Sequence, residues 1–329
     1  MKKLIVTGFI FALLLTGCLS DAPRTNPLDP TINKEKALQI RGKVTHLNTS
    51  TQIPGALISL KPGFASARSD QNGEFVITGE FPAGDYTLVC EAEGFSADSA
   101  SLSLSPAADF VQNFSLNALP NFSDISLLTR HEASLIPLAQ EDFIDVSVSV
   151  TDGDGASDIQ VVWMEVPAFG FRDTLQLLPQ EQRYFARIYP KDVVRVSDEI
   201  EMLAGKSFTM FVSDNHGAVV QSPPQFISRI ISGADRTPET VLPDGNASIP
   251  FDFQWRQYQA SFNFTFRVEV FLDVNFALPP SAAINNIPAD STSVRFDTPL
   301  SPAKYVWVLY VVDEFGNYSR SLKRALTIN

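Results

Sequence analysis

Ile144-Asp145-Val146-Ser147-Val148-Ser149-Val150-Thr151 alternates without a fault: branched apolar residues on one parity, Asp, Ser and Thr on the other. A period of two is that of an extended strand with one buried face, and no helix produces it. The pattern recurs further along the chain, where Phe262, Phe264, Phe266, Val268, Val270 and Leu272 alternate with Asn263, Thr265, Arg267 and Glu269. Two other runs, Ile159 to Val166 and Tyr305 to Val312, are apolar on both parities and read as central strands covered on both faces. Phe208 to Val212 runs into Asp214-Asn215-His216-Gly217, a strand entering a hairpin. The fold class this predicts is all-β.

Composition agrees with that reading. Twenty-five Phe and many Val, Ile and Thr sit in short runs punctuated by 22 Pro and 17 Gly. At 44% hydrophobic and 19% charged, the chain has material for real cores. Its 329 residues, at roughly 100 per sandwich, leave room for three tandem β-sandwich modules. The net charge is −12 and becomes −14 without residues 1–17, whose only charges are Lys2 and Lys3. Such a surface repels phosphate backbones, so nucleic acid is not an expected partner.

Lys2 and Lys3 followed by the apolar stretch Leu4 to Leu15 have the form of an export signal, too short for a membrane span. The stretch ends in Leu15-Thr16-Gly17-Cys18, which resembles the lipobox of bacterial lipoproteins. The resemblance implies a signal peptide over 1–17, cleavage before Cys18 and lipid on its sulfur, anchoring the chain in a membrane. In such lipoproteins an aspartate after the cysteine signals retention in the inner membrane; Leu19 stands there instead, which points to the cell envelope at the outer membrane. Residues 18–37, with Pro23, Pro27 and Pro30, form an expected extended tether. With Cys18 lipidated, Cys90 has no disulfide partner, and its register with Tyr86, Leu88 and Ala92 makes it a small buried hydrophobe.

The expected first module is 38–117. Four motifs follow one another there: Ile53-Pro54-Gly55-Ala56-Leu57-Ile58-Ser59-Leu60, Ser69-Asp70-Gln71-Asn72-Gly73-Glu74-Phe75, Phe81-Pro82-Ala83-Gly84-Asp85-Tyr86-Thr87-Leu88, and Glu93-Gly94-Phe95. Pro54-Gly55 and Asp70 to Gly73 supply tight turns, with Gly73 at positive φ, and Phe75 and Ile77 then point into the core. Together the motifs resemble the carboxypeptidase regulatory-like domain, which implies a prealbumin-like, seven-stranded sandwich without catalytic residues of its own.

The second module, 118–231, reads as an immunoglobulin-like sandwich. The third, 232–329, has Trp255, Tyr305-x-Trp307 and Asp313-x-x-Gly316-Asn317-x-Ser319, and resembles a divergent fibronectin type III domain. Modules two and three share a faint echo, an apolar strand followed by Asp-x-x-Gly and then a serine; common module type and a chance hairpin match both explain it.

The sequence is poor in chemistry. His46, His131 and His216 have no metal-ligand spacing and read as residues of surface turns. No nucleophile elbow, zinc-binding helix or phosphate-cradling loop is present in the sequence, so no enzyme is expected and no catalytic residue is named. The sharpest constellation is Asp152-Gly153-Asp154-Gly155-Ala156-Ser157-Asp158, in which Asp152, Asp154 and Asp158 either wrap a structural Ca²⁺ or belong to a bare turn. It departs from the EF-hand at Ser157 and Trp163, where a glycine and a bidentate glutamate belong. Phe169, Phe171, Tyr184 and Tyr189 are candidates for ligand binding, as a platform for sugar rings or as core. The function expected is a lipid-anchored envelope protein whose non-catalytic modules act as spacer or docking modules for another envelope protein. The alternatives are a surface polysaccharide-binding lipoprotein and an unrecognised hydrolase.

Overall fold

The computed structural model describes residues 38–105, 109–135, 138–232, 236–274 and 277–329. The expected signal peptide, the motif Leu15 to Cys18 and the expected tether lie outside them. Among the described residues no helix is long and apolar enough to cross a membrane. The chain is all-β and falls into two compact units, Met1–Leu116 and Asn117–Asn329.

The first unit pairs two four-stranded sheets around one core. Strands β1 (Leu38–His46) and β4 (Glu74–Gly79) run antiparallel, and β7 (Phe110–Val111) and β8 (Phe114–Leu116) both pair β1 in parallel. The opposite sheet has the order β3 (Ser66–Arg68), β2 (Leu57–Lys61), β5 (Gly84–Glu91), β6 (Asp98–Leu104). Since β7 and β8 are one strand broken at Gln112-Asn113, the seven strands of the expected sandwich are present. Ile40, Ile58, Leu60, Leu88, Cys90 and Phe114 fill the space between the sheets, and Phe75 and Ile77 point into it as the alternation requires. Gly73 has φ +76°, and the Asp70 carboxylate accepts the N–H groups of Asn72 and Glu74 at 2.8 and 2.9 Å, closing the turn.

The break between β7 and β8 explains Gly42. The Gln112 N–H donates to the Arg41 carbonyl, which brings the Gln112 backbone across β1 so closely that a Cβ on Gly42 would lie 1.7 Å from the Gln112 oxygen. Backbone, unlike a flexible side-chain tip, cannot swing away.

The second unit holds two cores. Its first part comprises β9 (Asn121–Leu135), β10 (Leu138–Thr151), β11 (Ile159–Val166), β12 (Phe171–Leu178), β13 (Arg183–Ile188), a short helix α1 (Pro190–Val194), β14 (Thr209–Asp214) and β15 (Val219–Gln221). Strand β12 pairs β11 through one half and β13 through the other, so the sheet folds over on itself. Ile144, Val146 and Val148 of β10 meet Val162 and Met164 of β11 and Met210 and Val212 of β14 in the enclosed core, with Val150 packed at its margin.

The remaining strands are β16 (Thr240–Leu242), β17 (Gly245–Ala247), β18 (Phe251–Trp255), β19 (Phe264–Leu272), β20 (Pro280–Ile287), β21 (Ser293–Phe296), β22 (Ala303–Asp313), β23 (Tyr318–Arg320) and β24 (Arg324–Ile328). The small sheet β16-β18-β21 faces β19, β20, β22 and β24 across a core of Phe253, Trp255, Phe266, Phe296, Trp307 and Leu309. Strand β22 is central, paired with β19 on one side and with β23 and β24 on the other.

Three hydrophobic cores thus occupy two compact units, and sheet crosses the 231/232 boundary expected from sequence. β9 gives Phe122, Ile125 and Leu127 to its own core, and its other half pairs in parallel with β23, Tyr318 against Arg130 and Arg320 against Glu132. The result is one sheet of 13 strands. Side chains fasten the seam. Arg320 pairs with Glu132 at 2.8 Å, the Tyr318 hydroxyl donates to Glu132 at 2.6 Å, and Arg130 lies over the Tyr318 ring. Asn317, 0% exposed, accepts the Thr129 N–H at 2.8 Å and donates to Asp313 and Ser228.

Two outcomes follow. Gly42→Ala should destabilise the first unit by about 2–4 kcal/mol in urea denaturation, leaving the second untouched. Asn317→Ala, which strands the Thr129 N–H, should cost the second unit about 1–3 kcal/mol, and calorimetry should then resolve separate melting of its two cores where the wild type melts as one.

Candidate functional site

The echo between the two halves of the second unit is a structural repeat with a constant offset of 99 residues. The Asp214 Oδ1 accepts from the N–H groups of His216 and Ala218 at 2.9 and 2.8 Å; the Asp313 Oδ1 accepts from Phe315 and Asn317 at the same two distances. Gly217 and Gly316 follow at φ +88° and +92°. The Ser222 hydroxyl accepts the Met210 N–H and donates to the Pro223 carbonyl, as Ser321 does with Leu309 and Leu322. Each half is therefore closed by the same hairpin, with a buried aspartate holding its turn by carboxylate-to-amide hydrogen bonds.

The Asp152–Asp158 loop sits beside the first of these hairpins. The Asn215 N–H and amide donate to the carbonyls of Asp158 and Ser157 at 2.8 and 2.9 Å, and His216 Nδ1 lies 3.0 Å from the Asp158 carboxylate. Within the loop the Asp154 N–H donates to Asp152 Oδ1 at 2.8 Å, and a single 3₁₀ turn, Ala156–Asp158, leads into β11. Asp154 and Asp158 are 5% and 2% exposed. One carboxylate oxygen from each of Asp152, Asp154 and Asp158 lies within 4.8 Å of the others. The structure thus gathers the three residues the sequence singled out, and adds Asp214, His216 and Asn117. The Asn117 Nδ2 donates to Asp214 Oδ2 at 2.6 Å, and the next N–H, of Ala118, to Asp154 Oδ2 at 2.5 Å. Nothing in the sequence ties Asn117 to the Asp152–Asp158 loop; the Asp-x-x-Gly echo is the one available pointer to Asp214.

Burial, and then the charges of Asp158, Asp154 and Asp214, push the Asp152 carboxyl above the ordinary aspartate range, opposed by its hydrogen bond from Asp154. Asp152 therefore holds its proton more tightly than an ordinary aspartate does.

The four aromatic candidates are spread differently. Phe169, Phe171 and Tyr184 are half-buried and pack against the second unit's first core. Burial raises the Tyr184 hydroxyl. Tyr189 stands apart, its ring 5.9 Å from Phe143, and lines a recess of about 360 Å³ with Glu141, Asp142, Lys191, Asp198 and Glu199.

His131 corrects the expectation of a surface histidine. It is 0% exposed on β9, with Nδ1 2.9 Å from Asp142 and Nε2 2.9 Å from the Thr237 hydroxyl. Residue 131 falls on the same parity as Thr129 and Ala133, a stripe that Arg229, through its carbonyl on Thr129, and Thr237, through its hydroxyl on His131, meet from outside the strand and that the sequence of β9 alone does not mark as buried. Hydroxyl, imidazole and carboxylate in a row is also the order of a hydrolase triad, but an imidazole enclosed on all sides offers a substrate no approach, and it serves to fasten β9, β10 and the segment before β16. Cys90 is fully buried, and burial with the charges of Asp98 and Glu91 pushes its thiol up to about 12, which makes it unreactive.

Comparison with known proteins bears on the first unit most directly. Residues 39–117 match the carboxypeptidase regulatory-like domain. This is the non-catalytic sandwich that the four turn motifs imply, and it covers the described part of the first unit together with Asn117. No curated protein matches the chain. Similar solved structures include a DUF3823 family protein from Bacteroides ovatus, at 11% identity and TM-score 0.25, covering 57% of this chain and 97% of that one. The fibronectin(III)-like modules of CbhA from Clostridium thermocellum cover 64% and 93% at 13% identity and TM-score 0.29. The FN1–FN3 domains of chicken CNTN1 cover 85% and 92% at 11% identity and TM-score 0.32.

The raised Asp152 carboxyl gives a signed prediction. The folded chain holds this proton more tightly than the unfolded chain, so its stabilising contribution is complete below the ordinary aspartate pKa and is lost as pH rises through the raised value. At pH 7 in metal-free buffer Asp152→Asn, permanently neutral and still able to accept the Asp154 N–H, should melt about 1–2 °C above the wild type, a small rise because solvent screens the group.

Proposed function

We propose that this chain is a lipid-anchored cell-envelope protein, carried by acylated Cys18 at the outer membrane and held away from the bilayer by residues 18–37. Its β-sandwich modules act as a non-catalytic spacer and docking body for another envelope protein. The observation that supports this reading best is the β9–β23 seam, because a sheet running without interruption through two cores keeps its dimensions under load, as a spacer must. The cores are filled by the protein's own side chains, among them Trp307, Phe253 and Phe266, and the domain types carry no catalytic residues of their own. Three of the four aromatics that a polysaccharide platform would use are packed against a core.

Two experiments test the proposal. Cys18→Ser should move the protein from the membrane to the soluble fraction of fractionated cells, and retention of the variant in the membrane would count against the anchor. Gentle crosslinking in native membranes followed by affinity capture should return the same envelope protein in each replicate; recovery of polysaccharide with no protein would overturn the docking role.

A further inference from the structure

We infer that Asp152, Asp154 and Asp158, with Asp214 and Asn117 beside them, form a binding site for a hard divalent cation of the size of Ca²⁺. The inference goes beyond the spacer role and is independent of the lipid anchor. The first support is geometric. Oxygens on a shell 2.3–2.6 Å from one centre are at most about 4.6–5.2 Å apart, and three carboxylate oxygens from separate aspartates already lie within 4.8 Å of one another.

The second support is a pair of buried oxygens that no hydrogen bond satisfies, Asp152 Oδ2 and Asn117 Oδ1. Asn117 is only 9% exposed, and it is held between two of the carboxylates: its own Nδ2 is on Asp214, and the N–H that follows it is on Asp154. A buried oxygen without a donor is costly, and such atoms in native structures mark water or ions more often than waste. A carboxylate oxygen and an amide oxygen are also the two side-chain ligand types that Ca²⁺ accepts most readily.

The third support is the 99-residue repeat, which provides an internal comparison. The second hairpin aspartate, Asp313, is equally shut off from solvent, and its Oδ2 meets Arg229 Nη1 at 3.1 Å and Asn317 Nδ2 at 3.0 Å. Arg229 lies just before the third sandwich, as Asn117 lies just before the second. At the first hairpin, by contrast, Asp214 Oδ2 meets the neutral amide of Asn117, and three further aspartates stand close by. Where one copy is neutralised by arginine, the other has the oxygens to be neutralised by a metal. Among the described residues, the basic group paired with Asp158 is His216, which is 36% exposed at its side chain.

The test uses the full chain in detergent after treatment with a chelator. Adding Ca²⁺ to about 1 mM, the range of extracellular calcium modules, should raise the melting temperature of the second unit by about 5 °C or more, and equilibrium dialysis should show one saturable site. Asp152→Asn and Asn117→Ala, which leave the loop's backbone hydrogen bonds in place, should lose at least tenfold in affinity, while Asp70→Asn in the first unit should bind as the wild type does. A wild type that neither binds Ca²⁺ nor gains stability would overturn the inference, and so would undiminished binding in both Asp152→Asn and Asn117→Ala. Because these readouts need neither membrane nor partner, their failure is distinct from failure of the spacer role.

Discussion

The parallel pairing of β9 with β23 is the constraint from which the rest of the second unit follows. An edge strand with unpaired N–H and C=O groups is a liability in water, and two sandwiches in tandem would ordinarily present several. Here the last hairpin of one sandwich receives the first strand of the other, so both edges disappear at once. The equivalent strand of the preceding hairpin, β15, stays at the end of the sheet. The same hairpin therefore serves in one copy as a terminus and in the other as a joint. What makes the difference is its side chains: Asn317, Tyr318 and Arg320 reach Thr129 and Glu132 of β9, whereas Ala218, Val219 and Gln221 occupy those places in the first copy.

Burying the hairpin aspartates creates an electrostatic problem that the molecule meets in two ways. A buried carboxylate is tolerable when charge and hydrogen bonds compensate it. Asp313 has Arg229, itself paired with Glu314 and lying over the Phe262 and Phe315 rings. That pairing holds Glu314 below the ordinary carboxylate range. Among the described residues the donors to Asp214 are neutral, the His216 and Ala218 N–H groups and the Asn117 amide, with the Asp152–Asp158 loop beside it. The Asp214 carboxylate thus meets the amide of Asn117 where the Asp313 carboxylate meets the guanidinium of Arg229.

Much of this was legible in the sequence where the signal is local. The alternation at Ile144 to Thr151 and at Phe262 to Leu272 fixed which face is buried, and the doubly apolar Tyr305 to Val312 fixed a central strand, because side-chain period and burial are the same information. The turn motifs of the first unit were equally readable, since Gly73 and Asp70 do their work within four residues. Strands β3 and β6 carry weaker signals, because Ser66–Arg68 is three residues long and Asp98–Leu104 turns Ser99, Ser101 and Ser103 to solvent. The seam escaped for a different reason. Residues 129–133 read Thr-Arg-His-Glu-Ala, a polar stretch whose burial depends on side chains almost two hundred positions away. Of the candidate site, the three loop aspartates were visible as a cluster; Asn117 was not, because an isolated asparagine carries no signal until the fold closes around it.

The account turns on whether residues 117–329 form one body through that seam, and amide hydrogen exchange measures it most directly. The amides of Tyr318, Ser319 and Arg320 and of residues 130–132 are predicted to exchange together, as slowly as those of the β10 core, at the rate of global unfolding of the unit. Exchange of these amides at the rate of an open edge, matching Val219 to Gln221 while β10 and β22 remain protected, would show two separate sandwiches and contradict the account.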